Sequence, residues 1–539
     1  MNVLKLDTSI EPPLRSVTVV ESPRGIPIGD VSSDFVRRVP IAFARRFGVL
    51  GLKAENGCQP VAVSTNGTVS ALDKAASRSA LAALDKVAVL LGMPTRPVWV
   101  EENDLRRVIS EAYGQQASGV EQVIEALPGA DPVMWVDELS RSGDLLDTAG
   151  SSPVTKLVNL VLFEAVKRRA SDVHVQPFED HLQIRLRIDG VLYDYVRPPV
   201  HLLDEIVSRI KVMGKMNIAE KRLAQDGRTT VKVGDKTIDL RISTLPTSFG
   251  ERVVLRLLDK SARLYRLPEL GMSEHDLEGF RELITQTSGI LLVTGPTGSG
   301  KSTTLYAALQ ELNCKELNVL TLEDPIEYQL PGISQTQVSD KKGMTFATGL
   351  RHVLRQDPDV IMVGEIRDQE TARMAIQSSL TGHLVFSTLH TNDAAGAVAR
   401  LLDLGVEPYL VSGSLLGVLA QRLVRRVCEH CKRPRSLTHN DVDLWQLPSH
   451  VVGSTVYEAN GCERCHQTGY HERMGIFELL RISDEVRELL HHSPQTRLLK
   501  EAARTAGMTS LHEDGVRKWL SGTTTLDEVC RVTTSETVL

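Results

Sequence analysis

Apolar positions recur with two different periods along this chain, and the changes of period divide it. The run Pro40-Ile41-Ala42-Phe43-Ala44-Arg45-Arg46-Phe47-Gly48 predicts a short helix with proline near its start and glycine at its end, and Val49-Leu50-Gly51-Leu52 behind it predicts a strand. Helical spacing over 77–91 and 102–112 completes a small α+β domain at 36–130. Before it, residues 1–35 hold Pro12, Pro13, Pro23 and Pro27 among Ser, Thr and Glu without a sustained period, which predicts a flexible tail or a partly ordered edge. After it, the Gly-, Asp- and Ser-rich stretch at 128–152 predicts a linker, placed at 131–152. From Pro153 an amphipathic helix carrying Val154, Leu157, Val158, Val161, Leu162 and Ala165 leads into strand-rich sequence at 172–187. Asp189-Gly190 reads as a hairpin turn, and a second sheet-forming region at 229–258 holds another turn at Gly234-Asp235. These make a second α+β domain at 153–264. Beyond about residue 265 strands alternate with helices, the signature of a parallel sheet covered on both faces, so 265–539 is an α/β domain.

Composition narrows the class. A chain of 539 residues holds three to four domains at about 150 residues each. Hydrophobic residues at 42% and charged residues at 24% exclude a disordered, collagen-like or disulfide-scaffold protein. The net charge of -6 does not advertise a polyanion binder. The longest apolar runs, at 290–293 and 415–420, fall far short of the ~20 residues of a membrane span, and the N-terminus lacks a secretory signal, which predicts a cytoplasmic protein able to dock on a membrane. Four of the seven cysteines form two CxxC pairs, a distribution that suits metal ligation in a reducing compartment.

Gly295-Pro296-Thr297-Gly298-Ser299-Gly300-Lys301-Ser302 satisfies the GxxxxGK[ST] pattern, between a short apolar strand at 290–293 and a helix with Leu305, Ala308, Leu309 and Leu312 on one face. Glycines let successive N–H groups line one concavity at a helix N-terminus, a cradle for a triphosphate. Lys301 is expected at the β- and γ-phosphates, Ser302 on Mg²⁺, and Thr303 beside them, with ATP as ligand. A plain glycine-rich turn is the alternative. The strand Val360-Ile361-Met362-Val363 ends in Gly364-Glu365, which puts Glu365 beyond the carboxyl end of a strand, where it can polarise water or hold Mg²⁺ through water; an edge-of-sheet acid solvated by chance is the alternative. Glu323-Asp324-Pro325-Ile326-Glu327 and the histidines that bracket the strand after His383, His383 and His390, are candidates for the same pocket, each weighed against an ordinary surface or core role.

Cys428-Glu429-His430-Cys431 and Cys462-Glu463-Arg464-Cys465, separated by 30 residues, place two thiols on each of two tight turns, as tetrahedral Zn²⁺ sites do; a redox pair or bare thiols are the alternative. Cys58, Cys314 and Cys530 read as buried apolar residues. Arg422, Arg425, Arg426, Lys432, Arg433 and Arg435 crowd the first pair with Glu429 as the opposing charge, a solvated face by default and an anionic-lipid or acidic-partner surface as the sharper reading. Aromatics make up 4% of the chain and none interleaves with these cations, which disfavours nucleic acid.

Together the motifs resemble the secretion ATPase superfamily of type II secretion and type IV pili. The resemblance rests on the phosphate loop, the aspartate box Leu322-Glu-Asp-Pro-Ile-Glu-Tyr328, the box Asp357-Pro-Asp-Val-Ile-Met-Val-Gly-Glu-Ile-Arg-Asp368 and the histidine box Thr381-Gly-His-Leu-Val-Phe-Ser-Thr-Leu-His-Thr-Asn392. Upstream, Ala170-Ser-Asp-Val-His-Val175, Arg187-Ile-Asp-Gly190, Gln225-Asp-Gly-Arg228 and Gly250-Glu-Arg252 resemble the family's second N-terminal domain. The resemblance implies a RecA-like P-loop NTPase domain carrying a tetracysteine zinc-binding insert at 425–483, a PAS-like α+β domain and a small N-terminal α+β domain. It implies a homohexamer in which Glu365 is the catalytic glutamate, Glu327, His383 and His390 line the γ-phosphate side, and Arg241 and Arg256 reach the nucleotide, with Arg351, Arg355 and Arg367 as secondary candidates. The cysteine insert marks the assembly branch. The N-terminal domain, on Val39-Pro-Ile-Ala-Phe-Ala-Arg-Arg-Phe-Gly-Val-Leu50, is similar to that of type II secretion ATPases. That implies recruitment to the inner membrane by a bitopic GspL-like protein and action on a polytopic GspF-like platform. A pilus assembly motor, a nucleic-acid-translocating ATPase and a nucleotide-gated scaffold are the rival readings.

Overall fold

Residues 26–39, 41–54, 57–65, 74–116, 152–233, 236–259, 264–312, 314–445, 447–492 and 495–533 are described by a computed structural model and fall into two units, 1–261 and 262–539. The Gly234-Asp235 turn, residues 1–25 and nearly all of the expected linker lie outside the described residues.

The first unit begins with strands β1 (Val49–Gly51), β2 (Gln59–Thr65) and β3 (Thr95–Glu101). β1 and β2 are antiparallel and β2 and β3 parallel, which requires the crossover helix Lys74–Leu91. That helix buries Ala83, Leu84, Val87 and Leu91, and the helix Glu102–Gln116 adds Leu105, Val108 and Ile109 to the same core. Part of the expected tail belongs to this core: Ser32 caps a helix at Ser33–Arg38, its N–H donates to Gly51 O at 2.9 Å, and Phe35 is fully buried.

The rest of the unit is an antiparallel sheet in the order β6-β5-β4-β9-β8-β7, from β4 (Asp172–Pro177), β5 (Leu182–Ile188), β6 (Val191–Val196), β7 (Gln225–Val233), β8 (Lys236–Thr247) and β9 (Gly250–Asp259). Asp189 and Gly190 both take positive φ, 48° and 84°, as a two-residue type I′ hairpin requires, and they bring Ile188 opposite Val191. Alternation sends Val173 and Val175 into one core with the helices Pro153–Lys167 and Leu203–Met213. It leaves polar residues on the other face. There Arg187, Asp172, Arg256, Arg241 and Arg228 lie opposite one another across five strands, four guanidinium groups and one carboxylate in a single row.

The second unit contains β10 (Gly289–Thr294), β11 (Val319–Glu323), β12 (Ser334–Gln337), β13 (Val360–Val363), β14 (Leu384–Leu389), β15 (Leu415–Val427), β16 (Arg433–Ser436), β17 (Thr455–Glu458) and β18 (Tyr470–Arg481). Seven of them form a sheet in the order β12-β11-β13-β14-β10-β15-β18, parallel except for β18 at the edge. Fully buried strands such as Ile290-Leu291-Leu292-Val293 read as unbroken apolar runs because helices cover both faces. β16 and β17 pair in a separate ribbon within the insert, whose Leu437, Val442, Val451 and Val456 pack with Trp519 and Val529 of the C-terminal helices.

Candidate nucleotide site and cysteine cluster

The phosphate loop occupies the carboxyl edge of the parallel sheet. Thr294, at the end of β10, meets Thr391 hydroxyl to hydroxyl at 2.7 Å and accepts from the Thr391 N–H at 3.0 Å, which ties the ends of β10 and β14 together. The loop 295–300 follows, with φ of 147°, 81° and 90° at Gly295, Gly298 and Gly300, a path that suits glycine alone. Because Gly300 is the N-cap of the helix Lys301–Glu311 and offers no side chain, the first N–H groups of that helix stay free for a phosphate. Pro296, Thr297, Gly298 and Ser302 are exposed, while Gly295 and Ser299 are buried beneath them. Lys301 is only 9% exposed, and its Nζ donates to Gly295 O at 2.9 Å and Pro296 O at 3.1 Å. Burial pulls its ammonium down to about 8, against the opposing field of Glu365 and with that of Arg422.

Glu365 follows β13 and is 15% exposed. Its two oxygens are held by different partners, Oε1 by Arg367 Nη2 at 2.5 Å and Oε2 by His390 Nε2 at 3.3 Å. His390 lies just past β14, level with the end of β10. His383 does not join it: its carbonyl accepts from Gly289 N–H at 3.2 Å, at the amino end of β10, and its Nδ1 meets Ser378 O at 2.9 Å. A six-residue strand, about 20 Å at 3.3 Å per residue, separates the two histidines.

The aspartate box also divides. Glu323 turns into the core, where it accepts from the Tyr306 hydroxyl and from Gln335 Nε2 at 3.0 Å, while Glu327 is exposed and its N–H donates to Tyr306 Oη at 3.4 Å. Burial, reinforced by Glu323, pushes the Tyr306 phenol far above its usual range, so it remains a donor between the phosphate-loop helix and this box. Arg351 pairs with Glu370, and Arg355 donates to Arg351 O at 2.7 Å, so of the three secondary arginines Arg367 alone touches Glu365. Arg241 and Arg256 stand in the arginine row of the first unit, where Arg256 Nε meets Asp172 Oδ1 at 3.0 Å.

At the far end of β15 the four cysteines converge. Sγ separations are 3.9 Å for Cys428–Cys462, 3.8 Å for Cys431–Cys465 and 3.7 Å for Cys462–Cys465, and all four sulfurs lie within 4.8 Å of one another. Zn–S bonds of about 2.3 Å in a tetrahedron give edges of about 3.8 Å, so this donor set fits a zinc ion. N–H groups of Gly461, Cys462 and Gly469 point at the sulfurs from 3.1 to 3.3 Å, as donors to thiolates do. Cys58, Cys314 and Cys530 lie outside this cluster and are half-buried, not buried as expected.

Residues 147–531 match the family described as Type II/IV secretion system protein, and residues 25–119 match the MshEN domain. This chain belongs to the type II/IV secretion system protein family. Type II secretion system protein E of Pseudomonas aeruginosa is 46% identical over 517 residues, covering 95% of this chain and 99% of that protein. Its namesake from Dickeya dadantii is 48% identical over 499 residues, 92% and 97% of the two chains. The type IV pilus assembly ATPase PilB of Myxococcus xanthus is 42% identical over 503 residues, 93% and 87%. Among solved structures, the Legionella pneumophila ATPase DotB shares the fold, with a TM-score of 0.51 at 21% identity over 70% of this chain and 95% of that one.

In this secretion-family protein the basic stretch after residue 421 is not one patch. Arg422 lies toward the phosphate loop, where Nη2 donates to Asn392 Oδ1 at 2.9 Å. Arg425 pairs with Glu528 at 2.5 Å and stacks on the Tyr470 ring at 4.0 Å; Lys432 pairs with Glu429 at 2.5 Å and stands 4.4 Å from the Tyr457 ring; Arg435 pairs with Asp441 at 2.8 Å and Glu458 at 3.0 Å. Glu429 is therefore one of several opposing acids, and two aromatics do meet these cations, supplied from distant sequence. Arg422, read from sequence only as part of the basic stretch, and Asn392, read only as the end of the histidine box, thus pair on the phosphate-loop side of the sheet. Among the described residues, no helix is long and apolar enough to cross a membrane.

Proposed function

We propose that this chain is the assembly ATPase of a type II secretion system, which hydrolyses ATP to drive pseudopilus assembly and protein export. One observation carries the reading: Lys301 and Ser302 open the helix that follows β10 and Glu365 follows β13, at the carboxyl edge of one parallel sheet, in a chain 46–48% identical, over more than nine-tenths of its length, to type II secretion system protein E. The same reasoning favours secretion over the pilus motor, whose PilB relative stands at 42%.

In the proposed reaction the loop 295–300 and the free N–H groups of its helix grip the triphosphate, and Lys301 leaves the loop carbonyls for the β- and γ-phosphate oxygens. Ser302 would hold Mg²⁺, which supplies charge neutralisation between the phosphates when bound. Glu365, oriented by Arg367 and His390, takes the hydrogen bond of the attacking water. Glu327 and His383 are assigned to the same reaction by motif position, and the placement of His383 at the opposite sheet edge weighs against its acting within its own subunit. In a homohexamer the arginine row, Arg241 and Arg256 included, supplies cations to a neighbouring subunit's nucleotide. Cys428, Cys431, Cys462 and Cys465 hold a structural Zn²⁺, a closed site without catalytic function. The N-terminal domain docks on a bitopic GspL-like protein at the cytoplasmic face of the inner membrane, beside a GspF-like platform.

Glu365→Gln tests the chemistry: turnover should fall by about 10²- to 10⁴-fold while ATP binding stays within about threefold. Near-normal turnover removes the role given to Glu365. Capture by the full chain from detergent-solubilised inner membranes tests the system, with a bitopic secretion protein expected and pilus components pointing to the other motor.

A further inference from the structure

The apolar strand sequence Leu415-Leu416-Gly417-Val418-Leu419-Ala420 is interrupted by Gln421, which is 3% exposed. A buried amide is costly unless it is bonded, so its partners show what it is for. β15 runs parallel to β10 with Thr294 opposite Ala420, so Gln421 lies alongside Gly295, the first residue of the phosphate loop. Its carbonyl oxygen lies 2.4 Å from where a Cβ on Gly295 would stand. Its side-chain Oε1 accepts from Thr304 Oγ1 at 2.6 Å, on the first turn of the phosphate-loop helix, and Thr304 is fully buried. Its Nε2 lies 2.8 Å from the Cβ position of Gly300, the N-cap of that helix. One residue therefore touches the start of the loop, its end, and the helix behind it. From the other side β18 fixes Gln421 in register with Phe477, so the contact surface is anchored in the sheet.

We infer that Gln421 is a positioning residue of the phosphate site, the floor that sets the curvature of the loop 295–300 and aims its N–H groups. This rests on the reading of that loop as a nucleotide site. The role predicts a separation of kinetic effects. A slackened loop binds phosphate less well, whereas Lys301, Ser302 and Glu365 remain available once nucleotide is bound.

The test uses the full chain, with ATP as probe. Gln421→Ala should raise KM and Kd for ATP by about tenfold and leave kcat within about threefold. Gln421→Asn, which keeps the amide on a shorter arm, should recover part of that loss. Gln421→Glu still accepts from Thr304 but sets a negative charge beneath the phosphates, so its KM should exceed that of Gln421→Ala at pH 8 and fall toward it at pH 5.5. Thr304→Ala should weaken binding in the same sense, and combining it with Gln421→Ala should add little, since the two share one contact. Unchanged Kd in Gln421→Ala, or a lower melting temperature with unchanged Kd, overturns the assignment, as does a fall in kcat at constant KM. If Gln421→Ala does not fold, Gln421→Asn and Thr304→Ala decide the matter by the same Kd criterion. Wild-type protein that does not bind ATP at all would refute the nucleotide-site reading itself, an outcome separate from variants that match an ATP-binding wild type.

Discussion

Strand β15 has a site at each end of its distal half, and the two are held in opposite ways. At Gln421 it meets the phosphate loop, where the protein supplies every constraint: glycine conformations, Lys301 on the loop's own carbonyls, the Thr294–Thr391 contact, and large apolar cores on both sides of the sheet. Seven residues later, Cys428 begins a cluster of four sulfurs whose adjoining core is small, namely Leu437, Val442, Val451, Val456, Trp519 and Val529. Four thiols this close repel as they ionise. The phosphate end is therefore organised before its ligand arrives, whereas the cysteine end would be completed by the zinc proposed for it.

The largest effect should follow from removing that ion. Cys428→Ser with Cys431→Ser should release about one zinc per chain by elemental analysis and open the segment between the two cysteine pairs to limited proteolysis. If the two ends are independent, ATP affinity in the same variant should stay within about threefold. Equal loss of ATP binding would break the contrast and make β15 a rigid lever between the sites, and zinc content unchanged from wild type would sink the tetrathiolate.

A middle-sized effect belongs to the phosphate end. Lys301 releases its proton near pH 8 because burial disfavours the ammonium, while bound phosphate favours it, so nucleotide binding takes up a proton in this range. The apparent affinity for ATP should be level below about pH 8 and fall by up to tenfold per unit above it. Lys301→Arg, which keeps its charge throughout, should bind less well at pH 7 but lose that slope. A wild-type profile flat to pH 9.5 would show that burial does not depress the Lys301 ammonium in the free protein.

How much of this could be read from sequence depends on whether a site is built from backbone or from side chains. The phosphate loop is a contiguous backbone device, so its octapeptide spells it out together with the strand and helix that flank it. The cysteine cluster needs two turns brought together, yet each turn carries a pair, and the pairing was visible. Side-chain constellations were less legible. His383 and His390 share one short box, but a strand lies between them, and a strand carries its two ends to opposite edges of a sheet. Glu323 and Glu327 share one box, although the first is spent on Tyr306 and Gln335. The basic stretch reads as opposed by Glu429 alone because Glu528, Tyr470, Asp441 and Glu458 come from elsewhere in the chain. Gln421 showed only as a polar break in an apolar strand, a signal that gains meaning once β10 is known to lie beside it.

The smallest effect concerns the middle of β15, and it asks whether the two ends share one stiff strand. Arg425 lies between Gln421 and Cys428 and is fastened to the C-terminal helix Leu526–Thr533 by Glu528, whose side chain is 2% exposed and also accepts from Arg531 Nη2 at 2.8 Å. Burial alone would raise the Glu528 carboxyl, but the hydrogen bonds from Arg531 and Arg425 outweigh it and hold the group down to about 2. A carboxylate depressed from an ordinary 4.5 contributes stability that is present above pH 4.5 and is lost as pH falls toward 2. Glu528→Gln should cost about 1–3 kcal/mol at pH 7 by denaturant melts, and the difference from wild type should shrink as the pH is lowered through that window. With the clasp on Arg425 weakened, zinc retention and ATP affinity should both remain near wild type if each end is held by its own partners. A joint decline of the two, in step with the lost stability, would instead mean that the strand transmits strain between them.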